Sequence, residues 1–439
     1  MSKIQNVKGC FDYLPEQQKI RNYINEKLKE TFEEFNYQPI ETSILCYYDM
    51  LIDKYDESND LVKEIYKLND QGKRNLGLRY DLTVPFAKFI ALNKNKITLP
   101  FKRYEIAKVF RDGPVKVGRD REFTQCDCDI VGLSGQMIEA ECLNLYVNAF
   151  NKLNIDIIIK YNSRNLMQGL ILEAGISEEK VSKVITIIDK LEKVTNKELI
   201  EMLQNIELTD DSINALLNDF KLSLDELNKK YIKTKNNILQ KGLEELNQLT
   251  EYIKYLEIDK YTCFCPTLAR GQDYYTGNVI EVYEKNYKVS GSIGGGGRYD
   301  NMITDYINDG NNYPAVGISF GLTSIYELLK DRKIDEDIEL YIIPMETEKE
   351  SLKLANDLRN KNIKVTVEMN NRKVKKCFEW ANKNNVKYVI VIGENEINNN
   401  TIKIKNMQTS EETEIKKDDI NKIVNVIKNS SKWGILIFI

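Results

Sequence analysis

The stretch Arg111-Asp112-Gly113-Pro114-Val115-Lys116-Val117-Gly118-Arg119-Asp120-Arg121-Glu122-Phe123-Thr124-Gln125-Cys126-Asp127-Cys128-Asp129 decides the architecture. Before it, from Leu99, apolar and polar residues alternate: Tyr104, Ile106, Lys108 and Phe110 take one face, and Arg103, Glu105, Ala107, Val109 and Arg111 the other. Alternation of this kind marks a strand. Asp112-Gly113-Pro114 is strong turn chemistry, and a second alternating run starts at Glu122, so the two runs form a long antiparallel hairpin. Period two places Gln125, Asp127 and Asp129 on one face of the second strand and Cys126, Cys128 and Ile130 on the other. On spacing alone the polar face is either the lining of a pocket or a solvated sheet face. Arg111, at the end of the partner strand, can approach that face with a planar fork suited to a phosphate.

Outward from the hairpin, Pro15 to Phe35 reads as an amphipathic helix with Ile20, Ile24, Leu28 and Phe32 on one side. Arg79-Tyr80-Asp81-Leu82-Thr83 sets a carboxylate and a hydroxyl two residues apart, either a seat for an amino group or part of a surface ion pair. Between about Asn162 and Ile258 the pattern is helical and polar, as in an inserted helical domain. Leu268-Ala269-Arg270-Gly271-Gln272-Asp273-Tyr274-Tyr275-Thr276-Gly277 joins a cation to aromatic tips. The cluster Gly294 to Gly297 is either a flexible turn or a place where backbone approaches a ligand closely; it has neither the lysine of a Walker loop nor the spacing of a dinucleotide fingerprint. A charged linker at Lys330 to Glu336 leads to strand candidates at Leu340–Pro344, Val365–Val367 and Tyr388–Gly393, separated by helical stretches as in a small α/β domain.

Composition narrows the chemistry. None of the 439 residues is histidine, which removes imidazole bases, Ser-His-Asp and Cys-His nucleophiles and His-ligated metals. Eight cysteines include no C-x-x-C pair and are expected to be small buried hydrophobes in a reducing compartment. The longest apolar runs are too short to span a bilayer, and Met1-Ser2-Lys3-Ile4-Gln5 lacks a secretory core, so a cytoplasmic location without membrane attachment is expected. The formal charge of −4 hides an asymmetry: from Asp337 onward 18 Lys/Arg face 15 Asp/Glu. Positive potential is what phosphate binding requires.

Taken together and in order, from about Lys8 to Lys428, these stretches resemble the histidyl-tRNA synthetases of class II. The resemblance rests on Lys8-Gly9 with Asp12-Tyr13-Leu14-Pro15, on the hairpin from Phe101 to Gly132, and on Arg270-Gly271-x-Asp273-Tyr274-Tyr275-Thr276-Gly277. It implies an α+β fold: a class II catalytic core on an antiparallel sheet over residues 1–335, a helical insertion at about 162–258, and an anticodon-binding α/β domain over 336–430. It further implies ligation of L-histidine to tRNA(His) through a histidyl-adenylate, with ATP as substrate, Mg²⁺ on its phosphates, and a homodimer formed around the Pro39 region. Residue by residue, Arg111 and Arg270 match the catalytic arginines that meet the ATP α-phosphate and the substrate carboxylate. Asp81-Leu82-Thr83 matches the α-amino site. Gln125 and Asp129 match the amino-acid pocket, Asp129 facing the imidazole, and Tyr274 and Tyr275 match its aromatic wall. Glu122 falls near the adenine, and the basic run Arg372-Lys373-Val374-Lys375-Lys376, at the start of an expected helix, is the candidate tRNA contact.

Three stretches depart from the family pattern. Thr323-Ser324 follow Gly317-Ile318-Ser319-Phe320-Gly321-Leu322 where most relatives carry an acidic residue and an arginine on the ATP γ-phosphate; Asp120 replaces a usual tyrosine; and the 431–439 tail has no counterpart. The alternative is a non-catalytic histidine-sensing or tRNA-binding regulatory paralogue on the same fold.

Overall fold

Every fourth residue of the first helix, Pro15–Glu34, is apolar, and Ile20, Ile24, Leu28 and Phe32 are buried as a single stripe. Pro15 stands at the first helical position, where no amide donor is needed, and the Gln17 side chain accepts from the Leu14 amide at 2.9 Å. The stripe lies on a sheet, with the Phe32 ring 5.4 Å from Tyr104 and 5.5 Å from Phe320. Burying a side chain such as Phe32 contributes about 1.5–3 kcal/mol.

The computed structural model describes residues 4–53, 60–115, 120–191, 194–270, 274–334 and 338–429. Part of the hairpin loop (116–119), the Gly271-Gln272-Asp273 segment and the 431–439 tail lie outside the described residues. The chain divides into two compact units, Met1–Arg332 and Lys333–Ile439.

The first unit is built on an eight-stranded sheet, in the order 38–39, 101–110, 122–131, 315–321, 294–298, 278–284, 157–163, 262–264. The outermost pair at each edge is parallel and every other pair antiparallel. The hairpin is present as Phe101–Phe110 and Glu122–Val131. Gly294–Arg298 is an interior strand of this sheet, hydrogen-bonded on both sides, and not a turn. Helices Pro15–Glu34 and Met137–Leu153 cover one face, where Tyr146, Phe150 and Phe320 pack together. Six described helices fill the stretch from Arg164 to Tyr255, where a helical insertion is expected, with polar caps such as Thr195 to the Glu198 amide at 3.3 Å and Asn236 to the Leu239 amide at 3.1 Å.

The second unit is a five-stranded sheet, in the order 365–367, 340–344, 388–392, 401–406, 412–416, with its first two pairings parallel and its last two antiparallel. Leu340, Ile342, Ile390, Ile404, Leu358 and Ile423 make its core against helices Glu348–Arg359 and Ile420–Asn429. Cys46, Cys126, Cys128, Cys142 and Cys377 are buried as expected, whereas Cys263 is exposed because its short strand is the sheet edge. No described helix is long and apolar enough to cross a membrane.

Candidate active site

Strand pairing builds the site. Across the hairpin Arg103 faces Asp129, Glu105 faces Asp127 and Ala107 faces Gln125; on the other side Gly317, Ser319 and Gly321 face the same three residues. The polar face of the second hairpin strand is therefore the floor of a cleft of about 770 Å³, open mouth included. Asp81, Thr83, Arg111, Gln125, Asp127, Asp129, Arg270, Tyr274, Tyr275 and Tyr299 line it, together with Gly294–Gly296 and Ser319.

A buried charge network holds this floor. Arg103, with no exposed surface, sets Nη2 2.6 Å from Asp129 Oδ2 and Nη1 3.8 Å from Glu105 Oε2, donates to the Leu82 carbonyl at 3.2 Å, and lies 4.4 Å from the Phe86 ring centre. Arg79 donates to Glu105 at 3.0 Å and to the Thr42 carbonyl at 2.7 Å. Arg79 thus belongs to this interior and not to a surface ion pair. Tyr299 donates its hydroxyl to Asp129 Oδ1. Asp81 Oδ1 accepts from the Val84 amide at 3.2 Å, at the start of helix Thr83–Asn93, where the first-turn amides favour a carboxylate.

Arg111, just past the strand Phe101–Phe110, and Arg270, over Gly295, both line the cleft. Arg111 donates Nε to the Tyr80 carbonyl at 3.0 Å and stands 5.0 Å from the Phe123 ring centre. Arg270 is anchored by the Ile280 carbonyl at 3.2 Å and Glu281 at 3.4 Å. Its guanidinium lies over Gly295, where a Cβ would collide with Nη1, and a Cβ on Gly317 would likewise strike Asp129. Glycine is required at both places because the Arg270 and Asp129 side chains occupy the volume of a methyl group.

Desolvation dominates the acidity of this floor. Burial raises the Asp81 carboxyl to about 6, against Arg111 and Arg103, and raises Asp127 to about 7, with Arg103 opposing and Asp129 reinforcing. Asp129 moves the same way, again by burial first, with Arg103 and Tyr299 opposing. Folded-state values above the unfolded ones mean that the folded chain binds extra protons between about pH 4 and pH 7, so these groups make stability fall as pH rises through that interval. Carboxylates with lowered values, such as Asp309 and Glu368, act only below about pH 4. The unligated protein is expected to be about 2 kcal/mol more stable at pH 5.5 than at pH 8; urea unfolding giving equal stability at the two values would contradict this.

The expected site residues divide. Asp81, Thr83, Arg111, Gln125, Asp129, Arg270, Tyr274 and Tyr275 come together in the cleft. Leu82 does not line it; its side chain is fully buried in the core. Glu122 pairs with Lys108 across the hairpin and is also outside the lining. Thr323 and Ser324 lie in the first turn of helix Leu322–Leu329, two and three residues past the lining residue Gly321. Asp120 is partly buried, its carboxyl raised by burial with Arg21 opposing. The sequence assigns no role to Arg103, Tyr299 or Ser319, and it marks Asp127 only as one of three residues on a strand face.

The histidyl-tRNA synthetase family profile matches residues 9–325 and an anticodon-binding-domain profile matches 339–428. Histidine–tRNA ligase 1 of Bacillus cereus is 43% identical over 421 residues, covering 94% of this chain and 98% of the relative. The chain belongs to the histidyl-tRNA synthetase family. Histidine–tRNA ligase of Clostridium tetani is 33% identical, covering 96% and 97% of the two chains. A solved histidyl-tRNA synthetase from a Nostoc species superposes with a TM-score of 0.83 at 27% identity, over 97% of this chain and all of the other. A Bacillus halodurans structure described as an ATP phosphoribosyltransferase regulatory subunit/histidyl-tRNA synthetase shares the fold at a TM-score of 0.74 and 20% identity, over 88% and 98% of the two chains.

Proposed function

We propose that this chain activates L-histidine with ATP and transfers it to tRNA(His), as a homodimer in the cytoplasm. The observation that supports this most is the convergence, in one cleft, of two anchored arginines with buried carboxylates and an aromatic wall. Asp81 receives the substrate ammonium; Gln125 and Asp129 receive the polar edge of the imidazole, between Tyr274, Tyr275 and Tyr299. The histidine carboxylate oxygen attacks the ATP α-phosphorus, the bond to pyrophosphate breaks, and histidyl-adenylate remains. A carboxylate nucleophile needs no general base, consistent with a chain that has no histidine. Arg111 and Arg270 supply positioning and charge dispersal on the transferring phosphate. In the second step the terminal ribose hydroxyl of the tRNA attacks the acyl carbon, AMP leaves, and an adenylate phosphate oxygen takes the proton.

Mg²⁺ enters this reading as a companion of the nucleotide phosphates. Among the described residues no cluster of three or more acidic or thiol groups able to hold a metal occurs.

In the second unit, Lys373, Lys375 and Lys376 are exposed at the start of helix Val374–Lys383 and are the proposed phosphate contacts. Arg372 is different: it pairs with Glu368 at 3.1 Å and lies 5.5 Å from the Trp380 ring centre. Replacing the three lysines with alanine is expected to weaken tRNA binding about tenfold or more and to flatten its salt dependence, leaving histidine activation unchanged. Filter binding at several salt concentrations measures both quantities.

The deciding experiment is histidine-dependent exchange of pyrophosphate into ATP, followed by charging of tRNA(His). Exchange specific to histidine supports the ligase. Histidine binding without exchange would instead support a sensing or regulatory paralogue.

A further inference from the structure

The proposed pocket contains one more carboxylate than its assigned contacts use. Asp81 serves the ammonium, and Asp129 is already engaged by the Tyr299 hydroxyl and by Arg103 at 2.6 Å. Asp127 lies between Gln125 and Asp129 on the same strand face, lines the same cleft, and is 4% exposed. Its Oδ1 has no hydrogen-bond partner among the described residues. Its neighbours across the sheet are Ser319, whose hydroxyl is a hydrogen-bonding neighbour of the carboxylate, and the buried Glu105, which is committed to Thr42 and Arg79. A buried acceptor without a donor is costly, and such atoms in a native interior call for an explanation.

We infer that Asp127 is a second specificity contact for the substrate ring, which is bound as the imidazolium, with Asp127 Oδ1 accepting one ring N–H and Asp129 the other. The inference rests on the histidine-binding reading above. Residues two apart on a strand stand about 6.6 Å from each other, a separation that lets two carboxylates flank a five-membered ring with one hydrogen bond on each side. The aromatic wall of Tyr274, Tyr275 and Tyr299 selects a flat ring by shape; by itself it accepts any ring of that size. Discrimination by N–H requires a buried acceptor that is left unpaired by the wrong ligand. Asp127 Oδ1 is such an acceptor. Its carboxyl is pushed up by burial more than Arg103 pulls it down, the condition of a group short of a donor.

The test compares histidine with β-(2-thienyl)alanine, a ring of similar size without N–H, by calorimetric binding to the full chain. Asp127→Ala is expected to weaken histidine binding about 10- to 100-fold, while thienylalanine binding changes less than about threefold, so that the preference for histidine falls by nearly the whole factor. Asp127→Asn, which keeps the shape and an acceptor oxygen, is expected to fall between the two. Equal losses for both ligands, or an unchanged preference in a folded variant, would overturn the inference even if the wild type exchanges pyrophosphate normally. A wild-type protein that neither binds histidine nor exchanges pyrophosphate would overturn the functional reading itself, and this inference with it.

Discussion

Arg270→Ala is expected to lower histidine-dependent pyrophosphate exchange about a thousandfold, equivalent to about 4 kcal/mol of transition-state stabilisation. The expectation follows from how the side chain is held. The Ile280 carbonyl and Glu281 fix one edge of the guanidinium, and Gly295 removes the Cβ that would displace it. A donor fixed in advance stabilises developing charge without reorganising, which is why its removal costs more than an ordinary surface cation. Arg270→Lys keeps the charge but loses the planar fork, and is expected to recover little of the rate. Folding should be nearly unaffected, because the Glu281 partner is about one-fifth exposed and can be hydrated when Arg270 is gone. Exchange within tenfold of wild type would remove Arg270 from the chemistry.

What sequence alone disclosed about the site depended on whether its signal was local. Gln125, Asp127 and Asp129 share a face by the arithmetic of a strand, and the Asp-Gly-Pro turn makes the hairpin visible without any knowledge of the rest of the chain. Arg103 carries no such signal. Its importance lies in the register that sets it opposite Asp129, and register is a property of two strands. The available hint was a run with Arg103 and Glu105 on one face, charges too many for a buried strand unless paired across to others. Tyr299 is further still from local inference, since the strand it follows, Gly294–Arg298, reaches the hairpin only through Ala315–Gly321.

Gly294–Gly297 shows the opposite failure. Four glycines have almost no intrinsic preference for a strand and no side chains to form a pattern. They form one because neighbours on both sides supply the ladder, and because Arg270 and Tyr275 need the space that side chains would fill. Leu82 stands between Asp81 and Thr83 in sequence, yet a helix starts at Thr83 and turns the leucine into the core. By contrast, the parallel part of the second unit is legible, because Leu340–Pro344 and Tyr388–Ile392 are apolar runs separated by amphipathic helices, whereas the antiparallel strands Thr401–Asn406 and Glu412–Lys416 carry charged residues at most exposed positions and give no such signal.

The floor of the cleft also makes a prediction about stability. Arg103→Leu removes the cation that faces Asp129, Glu105 and Asp127 from within the core, and an uncompensated buried carboxylate costs about 3–5 kcal/mol. Leucine retains contact with Phe86, so little of the loss comes from packing. The cost should depend on pH in a definite direction. Without Arg103 the carboxyls of Asp127 and Asp129 rise further, because the attraction that opposed burial is gone. At pH 8 the folded variant must either hold these carboxylates charged in the interior or take up protons against the gradient, and the full penalty is felt. At pH 5.5 protonation relieves much of it, so the difference from wild type in urea unfolding is expected to shrink to about half. An equal loss at both pH values would mean that Arg103 acts through its contacts with Leu82 and Phe86 and not through the charge it balances.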